Sequence, residues 1–96
     1  MIHVLARITA RPDSAHAVRK VLLELVAETR SKEPSCLAYA LYQRADEPAL
    51  FQTVEQWRDD ASADAHMIKP HVGAAIAQVG ALLAAPPEIL RFEKIA

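Results

Sequence analysis

The chain has few of the residue types on which several classes of site depend. Its 96 residues include one cysteine, Cys36, two glycines, and only one tryptophan, two tyrosines and two phenylalanines. A single thiol excludes an intrachain disulfide and a metal cluster built from cysteines. Two glycines cannot form the glycine-rich loop that cradles phosphate groups. Stability must therefore come from packing, and each aromatic position becomes informative.

An excess of charge of one sign and long hydrophobic runs are also absent. Eleven basic and twelve acidic side chains give a net charge of -1 with no basic run, so the chain lacks the electrostatic footprint of a protein that binds nucleic acid or an anionic membrane. No apolar run approaches the ~20 residues of a transmembrane helix, and residues 1–7 are too polar for a signal peptide. We expect one cytoplasmic domain spanning residues 1–96.

The hydrophobic pattern alternates between strand and helix periods, with no linker or repeat. Ile2–Thr9 is apolar and β-branched, which predicts a buried strand, and apolar residues then recur at helical spacing over residues 14–31. The other predicted elements are strands over residues 36–44, 50–58 and 88–95, a short helix over residues 59–68, and a second helix that begins after a kink at Pro70.

The predicted order β-α-β-β-α-α-β indicates an α+β fold, the ferredoxin-like sandwich, with helices on one face of a four-stranded sheet. The strands nevertheless carry apolar residues on both faces; on the first strand, Leu5 alternates with Val4 and Ala6. A large apolar patch on a soluble chain normally marks an interface. We therefore predict a homodimer in which two sheets pack face to face about a two-fold axis.

One stretch concentrates the side chains that are able to do chemistry. Glu55 and Trp57 alternate on one strand and so project from the same face, while His66 and His71 lie in the helices that follow. Thr53 shares the strand face of Trp57 and is a candidate for a weak polar contact. A carboxylate, an indole and an imidazole can thus meet at one pocket.

The sequence predicts no metal at these histidines. His66 and His71 are five residues apart, and on an unbroken helix they would diverge by about 140°, so they do not form the i, i+4 pair that binds zinc. Each candidate also has a structural alternative. Trp57 is also suited to be a core side chain, Glu55 to form a buried hydrogen bond, His66 to be a surface residue that interacts with a helix dipole, and His71 to serve in capping or packing.

Taken together, the residues resemble the antibiotic biosynthesis monooxygenase family, whose members form dimeric α+β barrels. The resemblance covers essentially the whole chain. It depends on the first strand, Leu22 through Arg30, Glu33 to Leu37 with Tyr39, Pro48 with Phe51, Glu55 with Trp57, His66, Pro70 with His71, and Pro86 with Pro87.

The resemblance implies a cofactor-independent monooxygenase that uses no flavin, metal or nicotinamide. Such an enzyme deprotonates a quinol, an anthrone or another polycyclic phenol, and the anion passes an electron to O2. His66 is then the base and Trp57 the wall on which the ring stacks, with Thr53, Glu55 and His71 as substrate contacts. Ser35 replaces the family's usual glycine. Ala6 lies near the place of the asparagine of haem-degrading relatives, so we do not expect haem degradation.

Two other functions fit the same residues. An isomerase or tautomerase of a small hydroxy-ketone would use the same imidazole to move a proton, without oxygen. A non-catalytic stress-response dimer would bind an apolar metabolite in the pocket. Oxygen uptake, proton exchange without oxygen uptake, and ligand retention without turnover distinguish the three.

Overall fold

A computed structural model describes all residues from 1 to 96. The strands are β1 (Ile2–Thr9), β2 (Cys36–Gln43), β3 (Leu50–Trp57) and β4 (Glu88–Phe92), and the helices are α1 (Ala15–Lys32), α2 (Asp60–Met67) and α3 (Pro70–Val79). Short 3-10 turns precede α1 and follow α3. The predicted α+β class and element order are confirmed.

The four strands form one antiparallel sheet in the order β2-β3-β1-β4. β2 and β3 form an antiparallel hairpin, and β1 lies between β3 and β4. The end of β4 differs from the prediction, since the strand stops at Phe92 rather than at residue 95. Phe92 pairs with His3, and β1 begins at Ile2, so residues beyond Glu93 have no residue of β1 opposite them.

α1 covers one face of the sheet because its apolar residues recur every three or four positions. Val18, Leu22, Val26 and Thr29 are buried along this stripe. Arg30 and Lys32 lie in the last turn, where positive charge complements the helix dipole. No helix in the structure combines the length and apolar character needed to cross a bilayer.

Two short helices follow β3 because the chain breaks before Pro70. The Asp59 side chain caps α2 by accepting a hydrogen bond of 2.8 Å from the backbone N–H of Ser62. Lys69 then has an extended backbone, with φ -68° and ψ 144°, as expected for a residue before proline. The predicted kink is therefore present, and it turns α3 away from the direction of α2.

The two sheet faces differ in their environment. Ile2, Val4, Ala6 and Ile8 point from β1 toward the helices and are buried. On the opposite face, Ala40, Val54, Leu5 and Leu90 form a row across all four strands. Val54 and Leu90 in this row are 38% and 47% exposed in the single chain. The face without helices is thus apolar at its centre.

Candidate active site

A cavity lies between the inner face of the sheet and the three helices. Its volume is about 110 Å³, and 15 of its 20 lining residues are hydrophobic. The polar or polar-tipped members of the lining are Tyr39, Thr53, Glu55, Trp57, His66 and Arg91. Met67, Ile76 and Ile89 are partly exposed at its rim. Apolar walls with a few polar groups are typical of a small-molecule site.

Trp57 and His66 lie side by side in this cavity. Their ring centroids are 4.6 Å apart and the ring planes are tilted by 39°. Trp57, at the end of β3, is 1% exposed, and His66, in the last turn of α2, is 5% exposed. The short connection from β3 through the Asp59 cap brings the helix back over the strand. The structure therefore places the two residues proposed as the functional pair in contact.

Glu55 is held by its neighbours on the sheet. Its Oε1 accepts a hydrogen bond of 2.9 Å from Trp57 Nε1, and its Oε2 accepts one of 2.7 Å from Thr53 Oγ1. Thr53 Oγ1 in turn accepts the backbone N–H of Ala6 at 3.2 Å. Alternation along β3 puts all three side chains on the inner face. The carboxylate fixes the indole, and both residues line the cavity.

A second buried carboxylate, that of Glu33, forms a hydrogen bond with His66. Oε2 of Glu33, the residue that ends α1, lies 2.6 Å from His66 Nδ1 and 2.8 Å from His71 Nε2. The side chains of Glu33, His66 and His71 are 4%, 6% and 9% exposed. His71 does not line the cavity of Trp57; it lines a separate groove between α1 and α3.

The hydrogen bonds to Glu33 determine which ring nitrogens carry protons. An ionised carboxylate only accepts, so His66 donates from Nδ1 and His71 donates from Nε2. In neutral His66 the proton is then on Nδ1, and Nε2 has a free lone pair. No group of the chain forms a hydrogen bond with His66 Nε2. This nitrogen is the one available to a molecule in the cavity.

Glu33, His66 and His71 are also the residues that would hold a metal, since their donor atoms lie within 4.8 Å of one another. Donors bound to tetrahedral zinc at ~2.0–2.1 Å stand about 3.3 Å apart. Distances of 2.6 and 2.8 Å to one oxygen are those of hydrogen bonds. The arrangement is therefore that of a hydrogen-bonded cluster. To bind a metal, the two nitrogens would have to move away from the carboxylate oxygen.

Tyr39 is a site residue that the sequence did not single out. It is 4% exposed, whereas Tyr42 is 59% exposed on the other face. The Tyr39 ring lies 5.8 Å from that of His66, and its hydroxyl has no hydrogen-bond partner in the chain. Burial raises the pKa of this phenol far above its ordinary value, and Glu55 raises it further. The hydroxyl is thus a neutral donor at the cavity.

Alternation along β2 limited the choice to one of the two tyrosines but did not decide between them. The pairing of β2 with β3 shifts between Cys36 and Ala38, and this irregularity leaves Leu37 49% exposed. From Ala38 to Gln43 the pairing is regular, and in this register Tyr39 lies opposite Glu55 and faces inward. The register between the two strands is the signal that would have found Tyr39, and it depends on the partner strand.

Cys36 is close to the site and is not a nucleophile. Burial raises the pKa of its thiol to about 11, and the carboxylates of Glu55 and Glu33 contribute to the shift. Only a thiolate attacks an electrophile, and at neutral pH this group stays protonated. The chemistry of the cavity is therefore that of an imidazole, a phenol, an indole and a carboxylate.

Comparison with known proteins agrees with this arrangement. The sequence profile of the antibiotic biosynthesis monooxygenase family matches residues 1–78. The chain belongs to this family. Rv0793 of Mycobacterium tuberculosis, whose name gives monooxygenase as a provisional function, is 39% identical over 87 residues, which are 88% of this chain and 82% of that protein. YcnE of Bacillus subtilis, named in the same way, is 28% identical over 93 residues, 97% of each chain.

Solved structures show that the family fold extends over the whole chain. PA3566 from Pseudomonas aeruginosa superposes with a TM-score of 0.91 at 36% identity, covering 99% of this chain and 94% of its own. The structure of Rv0793 gives a TM-score of 0.90 at 33% identity, covering 99% and 95%. β4 and the turns before it thus belong to the family domain, although the family profile stops at residue 78.

Proposed function

We propose that this family member is a cofactor-independent monooxygenase that oxidises a quinol-like small molecule with O2. The observation that carries the proposal is the contact between Trp57 and His66 in an apolar cavity, with Nε2 of His66 free. A flat ring that stacks on Trp57 would bring its hydroxyl to this nitrogen. The monooxygenase names of the relatives Rv0793 and YcnE support the same chemistry.

The reaction we propose begins with proton transfer from the phenolic hydroxyl to His66 Nε2. The phenolate then passes an electron to O2, and the substrate radical combines with superoxide through a new C–O bond; the proton held by His66 completes a hydroperoxide. The O–O bond then breaks, one oxygen atom stays on the substrate and the other leaves as water, so that overall the substrate loses two hydrogens and gains one oxygen. The substrate is its own reductant, so this reaction needs no nicotinamide or flavin.

Tyr39 is proposed to bind the oxygen of the phenolate. Its hydroxyl is a neutral donor with no partner in the chain, and its ring lies 5.8 Å from that of His66. A donor already aimed at a developing negative charge lowers the barrier because it needs no reorganisation during the reaction. Trp57 contributes its ring face rather than its N–H, since the N–H is engaged by Glu55.

The size of the cavity favours a quinol over a polycyclic anthrone. Its volume of about 110 Å³ is of the order of the ~150 Å³ cavity that holds one benzene ring. One ring fits inside, and a second extends into the mouth beside Met67 and Ile76, which are 40% and 53% exposed. Three fused rings would require the helices to move.

We also propose that the protein works as a homodimer, with the sheet face opposite the helices as the contact. The row formed by Ala40, Val54, Leu5 and Leu90 supports this proposal, because a soluble chain rarely leaves such a patch in water. The same face carries Tyr42 and Phe92, which are 59% and 46% exposed. Face-to-face sheets would leave the cavity on the helix side accessible.

Oxygen consumption with menadiol and with anthrone tests the proposed reaction. We expect uptake with menadiol to exceed that with anthrone, and His66→Ala to reduce turnover by on the order of 100-fold or more. Trp57→Phe keeps an aromatic wall but removes a donor from Glu55, so its effect should be smaller. The exposed His16 provides a matched control, and His16→Ala should keep wild-type turnover.

Each alternative function predicts a different experimental result. Proton exchange into a hydroxy-ketone without oxygen uptake would replace the monooxygenase with an isomerase. Retention of menadiol without turnover would indicate a binding protein. Equal oxygen uptake by wild type and His66→Ala would contradict the role of His66.

A further inference from the structure

We propose that Glu33 is a positioning residue that fixes His66 in the tautomer with the proton on Nδ1, so that Nε2 is the base toward the cavity. The catalytic consequence depends on the proposed function; the tautomer itself does not. Glu33 does not line the cavity and touches no substrate. It acts through the hydrogen bond of 2.6 Å from its Oε2 to His66 Nδ1.

The position of Glu33 is itself fixed by the end of α1. Its backbone N–H donates to the carbonyl of Thr29 at 3.0 Å, which closes the helix, and Pro34 follows. The backbone of Glu33 is extended, with φ -118° and ψ 92°, as expected before proline. A side chain on a closed helix end has little freedom, so the carboxylate is held where α2 and α3 meet.

The energetic reason for the arrangement is the cost of burying a charge. A carboxylate that is 4% exposed must receive hydrogen bonds to compensate for its lost hydration. The structure supplies two donors to the same oxygen, one from each histidine. Turning the His66 proton to Nε2 would place a lone pair against the carboxylate and remove one donor. The Nδ1–H tautomer is therefore strongly favoured.

His71 has a supporting role in this proposal. It forms a second hydrogen bond of 2.8 Å to the same oxygen and lines an outer groove rather than the cavity. We therefore assign His71 to the positioning of Glu33 instead of to substrate contact. Glu55, the other buried carboxylate at the cavity, does not orient His66, because its two oxygens accept hydrogen bonds from Trp57 and Thr53.

Glu33 also stabilises the proton that His66 receives. When Nε2 accepts the substrate's proton, the ring becomes an imidazolium whose Nδ1–H already points at a carboxylate. The resulting charge-assisted hydrogen bond is roughly twice as strong as a neutral one. Carboxylates that orient metal-bound histidines change activity by about 10–100-fold when they are removed, and we expect an effect of similar size for Glu33.

Ring nitrogen NMR of the 15N-labelled protein tests the tautomer directly. In neutral His66 we expect a protonated Nδ1 and an unprotonated Nε2 as a single species. In Glu33→Ala we expect a mixture of tautomers. Glu24→Gln, which removes an exposed carboxylate from α1, is the matched control and should leave the His66 signals unchanged. A proton on Nε2 of wild-type His66 would overturn the proposal.

Kinetics separate positioning from a purely structural role. Glu33→Gln keeps the shape of the side chain and removes its charge, so it covers the case in which Glu33→Ala does not fold. We expect kcat with menadiol to fall by about 10–100-fold, with KM within about two-fold of wild type. An unchanged kcat in a folded Glu33→Gln would overturn the catalytic role. No oxygen uptake by wild type, together with the expected tautomer, would contradict the proposed function and support the positioning.

Discussion

At the scale of single residues, the site contains two buried carboxylates that each serve as a fixed acceptor. Glu55 holds the indole of Trp57 by a bond of 2.9 Å, and Glu33 holds the imidazole of His66 by one of 2.6 Å. The two held rings are the pair in contact. A ring that is held by a hydrogen bond through one nitrogen keeps one orientation, so the cavity is organised before a ligand arrives.

The hydroxyl of Thr53 is predicted to contribute to stability through this arrangement. Thr53→Val keeps the shape of the side chain but removes a donor from Glu55 and an acceptor from the N–H of Ala6. Since the groups left behind are buried, we expect a loss of about 1–3 kcal/mol in the free energy of unfolding, measured by urea denaturation.

Thr29 provides the matched control for this substitution. It is also fully buried, but its hydroxyl has no hydrogen-bond partner. Thr29→Val therefore removes an unpaired polar group and should be neutral or stabilising. Equal losses for the two valine variants would show that the bond between Thr53 and Glu55 contributes nothing to stability.

At the scale of elements, the decisive feature is the break between α2 and α3. On one continuous helix, His66 and His71 would point apart, and this expectation underlies the prediction that they do not form a zinc-binding pair. The extended backbone at Lys69 and the start of α3 at Pro70 redirect the second histidine instead. Both rings then meet the same carboxylate oxygen. The break itself was predictable from Pro70; the convergence was not.

The cap of α2 is predicted to make stability depend on pH. Hydrogen bonds from Ser62 lower the pKa of Asp59 below its ordinary value of 3.8. The stabilisation by ionised Asp59 is therefore complete above about pH 4 and is lost as the pH falls through the lower pKa of the folded state. Asp59→Ala should lower the melting temperature by a few degrees at pH 7.

Asp59→Asn separates the charge from the cap. Asparagine caps helices about as well as aspartate but does not ionise. Its melting temperature at pH 7 should lie near that of wild type, and the difference between the two should change between pH 5 and pH 3. If wild type and Asp59→Asn keep a constant difference over that range, Asp59 does not contribute to the acid sensitivity.

At the scale of the whole molecule, the two faces of the sheet have different surroundings. One face lines the cavity together with the helices, and the other presents the apolar row of Ala40, Val54, Leu5 and Leu90. The shape of the single chain, 36 × 31 × 19 Å, is flattened along one axis. A thin sandwich with one bare apolar sheet face is well suited to pack against a second copy.

A substitution at the centre of the bare face tests the predicted homodimer. Sedimentation of the wild type should give twice the chain mass of 10.5 kDa at micromolar concentration. Val54→Lys places a charge in the middle of the row and should yield monomers. Leu23→Lys alters a residue of α1 that is 47% exposed and should remain dimeric. A stable wild-type monomer would contradict the prediction.

The sequence by itself determined the elements and the residues that share a face. Its periodicity defined β1 from Ile2 to Thr9 and placed α1 within one residue at each end, because side chains follow the backbone repeat wherever one face is buried. It also put Thr53, Glu55 and Trp57 on one strand face. These features depend on neighbouring residues in the sequence, and the structure confirms them.

Only the tertiary structure decided which distant groups meet. Glu33 is 33 residues from His66, and the angle between α2 and α3 brings His71 to the same oxygen. The inward orientation of Tyr39 depends on the register of β2 with β3, which pairs it with Glu55. Such contacts depend on how elements pack rather than on local repeats, so the pattern of residues predicted the cavity's walls, and the fold determined which atoms face it.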